Sequence, residues 1–224
     1  MKIKAIFLIF FKNMYLDSFS NFVLKIKEKT KLSSDFKNDL IPSGRSNSFN
    51  NYKSKSYKRA SVIIFCFQDN SGNISFPLIK RQLYNGAHSG QISLPGGKKD
   101  EKDKNLWETA KRELNEELGV SLSSIKKLKK LKNLYIPPSN FLVTPFLAYT
   151  KKSPDFLINK REVAELIIVK LDDLILLNKV HKRVTNSYLN NVKVPGYKIN
   201  KNFIWGATAM ILKEFKHILI LSED

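Results

Sequence analysis

The order of elements along the chain predicts an α/β (α+β) fold: an α/β/α sandwich, a mixed β-sheet between helices, preceded by an N-terminal helical extension. Three observations point there. Two apolar segments of strand length, 60–68 and 74–81, flank Asp69-Asn70-Ser71-Gly72-Asn73, which is a hairpin signal. A helix at 105–118 follows, then strand-length segments at 131–136, 141–150 and 163–169, then a second helix at 207–217. Strands followed by a helix, twice over, describe a sheet covered on both faces. With 224 residues, 42% of them apolar and 15 of them Phe, the chain can bury a sizeable core, which excludes wholesale disorder.

The first 58 residues read as an extension to a body that runs 59–224. Residues 5–11 form an apolar run between lysines, far short of the roughly 20 residues needed to span a bilayer, and no small-residue cleavage site follows it. Met14 opens a more ordinary segment and is an alternative start to Met1. From 16 to 32, Leu16, Phe19, Phe22, Val23 and Ile26 recur at helical spacing, giving a basic amphipathic helix. Such a helix can pack on the protein's own core or on a second subunit in a homodimer, or lie on an anionic membrane surface. Residues 41–58, rich in Ser, Asn, Lys and Tyr with Pro42 and Gly44, read as a polar linker.

Lys and Arg number 39 against 20 Asp and Glu, a formal charge of +19. The excess runs through loops, helices and strands alike, and nearly all of it is Lys, so it reads as a compositional bias and not as a built nucleic-acid face. A positive field still steers anionic small molecules inward. Residues 1–60 carry 13 Lys and Arg against four Asp and Glu, which keeps a basic RNA-binding module as the rival from a different class. Cys66 is the single cysteine and sits in the apolar run Val62-Ile63-Ile64-Phe65-Cys66-Phe67. No intramolecular disulfide can form, core packing is its expected role, and a reducing cytoplasm is the simplest setting.

The chemistry is concentrated between Leu94-Pro95-Gly96-Gly97 and Arg112-Glu113-Leu114-Asn115-Glu116-Glu117-Leu118-Gly119-Val120. Asn105 with Glu108 three residues on is a capping-box pattern, and Gly119 is a good terminator, so the intervening helix is bracketed. Glu113, Glu116 and Glu117 share one arc of it, next to the arc of Leu106, Trp107, Ala110 and Leu114 that can be buried. Three carboxylates at i, i+3 and i+4 repel one another unless a cation sits among them. Oxygen ligands select hard ions, so Mg²⁺ or Mn²⁺ is expected. Gly96-Gly97 allows close backbone approach to a ligand, and Arg112 can orient a neighbouring carboxylate.

This segment resembles the Nudix box, whose pattern is Gly, five residues, Glu, seven residues, then Arg-Glu-apolar-Xaa-Glu-Glu-Xaa-Gly-apolar. Residues 112–120 match the second half throughout. In the first half Asp103 stands where Glu is usual, with eight residues before Arg112, which is similar to the coenzyme A pyrophosphatase branch of the family. His88-Ser89-Gly90-Gln91-Ile92-Ser93-Leu94-Pro95-Gly96-Gly97 looks like the upstream signature of that branch, though Ile79, Gln82 and Gly86 stand where it has Thr, Ser and Arg. Segments around Tyr135-Ile136-Pro137-Pro138, Arg161-Glu162-Val163-Ala164-Glu165 and Ile204-Trp205-Gly206 extend the likeness over roughly residues 59–215.

The resemblance implies a metal-dependent pyrophosphohydrolase acting on a small nucleotide substrate. Glu113, Glu116 and Glu117, with the Gly97 carbonyl, would ligate Mg²⁺ or Mn²⁺, and water would attack one phosphorus. Coenzyme A would yield 3′,5′-ADP and 4′-phosphopantetheine; its acyl esters and oxidised form, ADP-ribose, NADH and damaged nucleotides are the alternatives. Glu116, Glu162 and Glu165 are the candidates for the general base, with Arg112 beside them. Lys80, Arg81, His88 and Gly96 are the candidates for substrate contact.

Overall fold

The computed structural model describes residues 19–28, 39–41, 56–83, 89–186 and 189–221. The apolar run at 5–11, both candidate starts, most of the linker, Gly86 and His88 lie outside the described residues.

Helix α1 (Phe19–Glu28) presents Phe19, Phe22, Val23 and Ile26 to the protein's own core, where Phe22 and Ile26 are wholly buried. The Phe19 ring lies 5.9 Å from that of Phe22 and 5.9 Å from that of Tyr149 in the sheet. Of the three uses open to this amphipathic face, the structure shows the first. Asp39 continues the attachment through Lys179 and Lys213, and Leu40 is buried beside it. Phe22→Ala is therefore expected to cost about 3 kcal/mol and to lower Tm by about 10 °C; an unchanged Tm would mean that α1 contributes nothing to the fold.

The main sheet has eight strands around β1 (Lys58–Gln68), which runs parallel to β7 (Phe141–Tyr149) along its length. β5 (Lys126–Lys130) and β6 (Leu134–Ile136) line the outer side of β7. β1 meets β2 (Ile74–Arg81) only at the hairpin tip, where Phe67 faces Ser75 and Gln68 faces Ile74. Beyond the tip the two strands take separate partners. β1 pairs with β4 (Gly96–Lys98), and β2 pairs with β3 (Ile92–Ser93) and with β8 (Val163–Lys170). Leu94 and Pro95 cross from β3 to β4, and the Pro95 carbonyl accepts from the Ile63 amide at 2.9 Å. This bridge places Gly96 and the end of β2 next to each other.

Alternation along β1 divides the core. Ile63, Phe65 and Phe67 face Ala110, Leu114 and Leu118 of helix α2 (Leu106–Leu118). Ile64 and Cys66 face the opposite layer, with α1 and Met210, Phe215 and Leu219 of α4 (Gly206–Leu221). The expected sheet between helices is what forms. Cys66 is fully buried, and burial pushes its thiol pKa up, which suits packing and not nucleophilic work.

Six elements depart from the sequence reading. The strand expected at 131–136 is confined to Leu134–Ile136, and the Lys-rich β5 precedes it. Helix α3 (Leu171–Leu176) follows β8 directly. A separate three-stranded antiparallel sheet, β9 (Lys179–Asn186), β10 (Leu189–Ile199) and β11 (Asn202–Trp205), fills the stretch before α4. In β11 Ile204 is buried while Phe203 and Trp205 are half-buried, and Lys182 lies over the Phe203 ring at 5.9 Å. Gly196 of β10 has to be glycine, because a Cβ there would meet the Ile204 carbonyl at 2.3 Å.

Candidate active site

The site is assembled from three pieces of chain: β4 with the loop after it, α2, and the paired ends of β2 and β8. α2 starts where expected. The Asn105 side chain accepts from the amides of Trp107 and Glu108 at 2.9 and 3.1 Å, and Gly119 ends the helix at φ 69° with its N–H on the Asn115 carbonyl. Glu108 turns to Lys111 at 3.0 Å, so the cap rests on Asn105.

Glu117 is the most deeply placed carboxylate, with 1% of its surface exposed. Its Oε2 accepts from the Gly96 N–H at 2.9 Å, and its Oε1 lies 3.7 Å from Nη1 of Arg81. Burial pushes its carboxyl pKa up to about 8; the Gly96 N–H and Arg81 pull it down, and the charges of Glu113 and Glu162 raise it further. Glu113 is likewise raised by burial, against the opposing pull of Arg112. Gly97 lies directly under Glu113, since a Cβ at 97 would sit 2.5 to 2.6 Å from its carboxylate atoms. The two glycines serve close approach, as expected, but within the protein: Gly96 against β1 and Gly97 against Glu113.

Arg112 organises the outer half. Its Nη1 donates to Glu116 at 2.7 Å and lies 2.9 Å from Glu113 Oε1, and its Nη2 donates to the Lys98 carbonyl at 3.1 Å. On its other edge it grips both oxygens of Asp103 at 3.0 Å. Asp103 is buried, its carboxyl held down to about 2 chiefly by Arg112, against the cost of burial. The residue that interrupts the box pattern in sequence is thus the anchor of Arg112 in space. A lowered pKa means stability that is present above the unfolded value near 4 and lost as pH falls through 2. Asp103→Asn is expected to cost about 2 kcal/mol at pH 7, with the Tm gap to the wild type narrowing as pH is lowered from 5 toward 2; a gap independent of pH would refute the ion-pair account.

The structure brings some of the other candidates into this cluster and leaves others out. Gly96 donates to Glu117, and Arg81 stands 3.7 Å from it. Glu162 stands close enough for its charge to bear on Glu113 and Glu117. Lys80 and Glu165 face each other across β2 and β8, in line with Leu78 and Ile167, hence on the sheet face away from α2. Glu165 lies 3.8 Å from Lys201 there. Asn159 was not singled out in the sequence, yet it joins the site's two halves. Its N–H caps the Glu117 carbonyl at 3.0 Å, and its amide donates to Glu162 Oε1 at 3.3 Å.

Among the described residues no three His, Cys, Asp or Glu side chains already converge on one cation position, because Arg112 draws off Glu113 and Glu116 while Glu117 turns to Gly96. The chemistry of the donor set nonetheless fits a hard divalent cation. Three carboxylates lie within one turn, two are raised by burial, and the deepest meets only a backbone N–H and a guanidinium beyond hydrogen-bond distance. Such a cation offsets the cost of keeping them charged.

An α/β/α fold with a Gly-Gly strand beneath a glutamate-rich helix is an arrangement suited to metal-assisted hydrolysis of a phosphoanhydride. Residues 57–188 match the family model for the NUDIX domain, and the chain belongs to the Nudix hydrolase family, enzymes of nucleoside diphosphate derivatives that use divalent metal ions. It is similar to proteins described as uncharacterized Nudix hydrolase NudL in Yersinia pestis (strain Pestoides F) and Yersinia pseudotuberculosis (serotype O:1b), each 32% identical over 164 residues, 72% of this chain and 80% of the relative. Among solved structures, it resembles a MutT/nudix family protein from Enterococcus faecalis with a TM-score of 0.49 and 15% identity, over 74% of this chain and 63% of that one. No helix among the described residues is long and apolar enough to cross a membrane.

Proposed function

We propose that this chain hydrolyses the pyrophosphate bond of coenzyme A or its derivatives to 3′,5′-ADP and 4′-phosphopantetheine. The observation that carries the reading is the Asp103–Arg112 clasp. The Asp and extra residue that mark the coenzyme A branch in sequence are accommodated by a two-pronged ion pair that still sets Arg112 on Glu113 and Glu116. The described part of the signature-like segment, 89–97, supports it by delivering Gly96 to Glu117.

Glu113, Glu116 and Glu117, with the Gly97 carbonyl, would hold Mg²⁺ or Mn²⁺. Bound there, the metal supplies charge neutralisation at the phosphates and an activated water. Arg112 keeps Glu116 at the mouth of the cluster, where that side chain is 47% exposed and in reach of solvent. Glu116 and Glu162 fit the general base; Glu165, on the far face with Lys201, does not. Water adds to one phosphorus, the bridging P–O bond breaks, and the proton lost by the water passes to the base. The buried Cys66 is compatible with a reducing cytoplasm.

The test is release of 3′,5′-ADP from coenzyme A by the purified chain with Mg²⁺ or Mn²⁺, beside ADP-ribose, NADH and nucleoside triphosphates. Faster cleavage of coenzyme A than of any other compound is the expected result. Preference for another compound would retain the hydrolase and discard this substrate.

A further inference from the structure

β8 carries a bulge where β2 ends. Lys80 pairs with Glu165 and Arg81 with Val163, so Ala164 is the extra residue of β8 while β2 keeps its alternation. That alternation sets Arg81, like Ile79 two residues before it, on the α2 side of the sheet. The Nη1 of Arg81 stands 3.7 Å from the buried Glu117 Oε1, too far for a hydrogen bond. Arg81 Nε is buried with no partner. A buried guanidinium nitrogen left unpaired is costly, and the adjoining backbone is pinned, with the Arg81 N–H on the Gln91 carbonyl and Gln82 clasped to the Glu162 carbonyl at 2.9 Å and the Lys160 carbonyl at 2.8 Å. The backbone is fixed and the head group is under-bonded.

We propose that Arg81 is the side chain that reads the substrate's phosphate, and that its hold on Glu117 and its hold on a phosphate exclude each other. The inference rests on the metal-dependent reading of the glutamate cluster. A carboxylate engaged by a divalent cation has less negative charge to offer Arg81. The guanidinium then has its fork, including Nε, available for two oxygens of one phosphate, the geometry that suits it best. Glu117 thereby links metal loading to phosphate capture: each favours release of Arg81, so each favours the other.

The experiment compares wild type, Arg81→Met and Arg81→Lys in the full chain, with circular dichroism as the folding control. Two titrations are read: Mn²⁺ alone, by the electron paramagnetic resonance of free Mn²⁺, and ADP into the Mn²⁺-loaded protein. In Arg81→Met, removal of the competing cation should tighten Mn²⁺ binding about threefold, while ADP binding should weaken tenfold or more. Arg81→Lys keeps the charge without the fork, so its Mn²⁺ affinity should stay near wild type and its ADP affinity should still fall; it carries the test if Arg81→Met does not fold. ADP binding unchanged in both variants, or Mn²⁺ binding weakened in Arg81→Met, would overturn the proposal. Failure of wild type to bind Mn²⁺ at all would instead overturn the metal reading beneath it.

Discussion

Glu117→Gln is expected to lower kcat by about 1000-fold while the protein folds as before. The side chain is 1% exposed, and its two oxygens have different tasks. Oε2 accepts the Gly96 N–H, which a glutamine oxygen does equally well. Oε1 faces Arg81 and the other carboxylates, where charge is needed to hold a cation. Substitution therefore keeps the bond that fixes β4 and removes the charge that, in the proposed function, would bind metal. Because burial opposes ionisation of this group, the neutral variant should be as stable as the wild type in chelator-treated protein. Stability alone would not reveal the change; loss of turnover with an unchanged melting curve, and weaker Mn²⁺ binding, would. Near wild-type turnover would remove Glu117 from the metal ligands.

The chemistry was more legible in the sequence than the periphery of the fold. Glu113, Glu116 and Glu117 are set by helix spacing, Asn105 and Gly119 by local capping, and the first hairpin by its turn residues; each is a short-range signal. What sequence could not show is which chain segments meet. Arg81, Gly96 and Glu117 lie in three different elements and are joined by the splaying of β1 from β2, a tertiary event. Asp103 read as a departure from a pattern, and only its depth and its grip on Arg112 reveal its task. Of the missed strands, β5 and β9 are written KKLKK and KVHKRVTN. Lys is a common residue of edge strands, where charge discourages pairing with other chains, but in a chain this rich in Lys the same composition reads as loop. His181, Lys182 and Arg183 are exposed on such an edge, so no hydrophobic alternation betrays it.

Gly96→Ala should do the reverse of Glu117→Gln and destroy stability. Gly96 holds φ at 147°, a conformation that residues with a side chain rarely adopt. A Cβ would also fall 2.3 Å from the Ser61 carbonyl oxygen and 2.6 Å from the Val62 Cα. Both are backbone atoms of β1, the central strand, which is fixed by β7 along its length and cannot yield. Strain and overlap together should cost about 4 kcal/mol or more, lowering Tm by over about 10 °C. Gly97→Ala is the informative contrast one residue on. The nearest atoms that its Cβ would meet all belong to the end of the Glu113 side chain, which can swing aside. That variant should fold and lose activity, because Glu113 is displaced from the cluster. Equal melting temperatures for the two alanine variants would contradict the division of labour between the glycines, in which Gly96 seats β4 on the sheet and Gly97 makes room for the carboxylate above it.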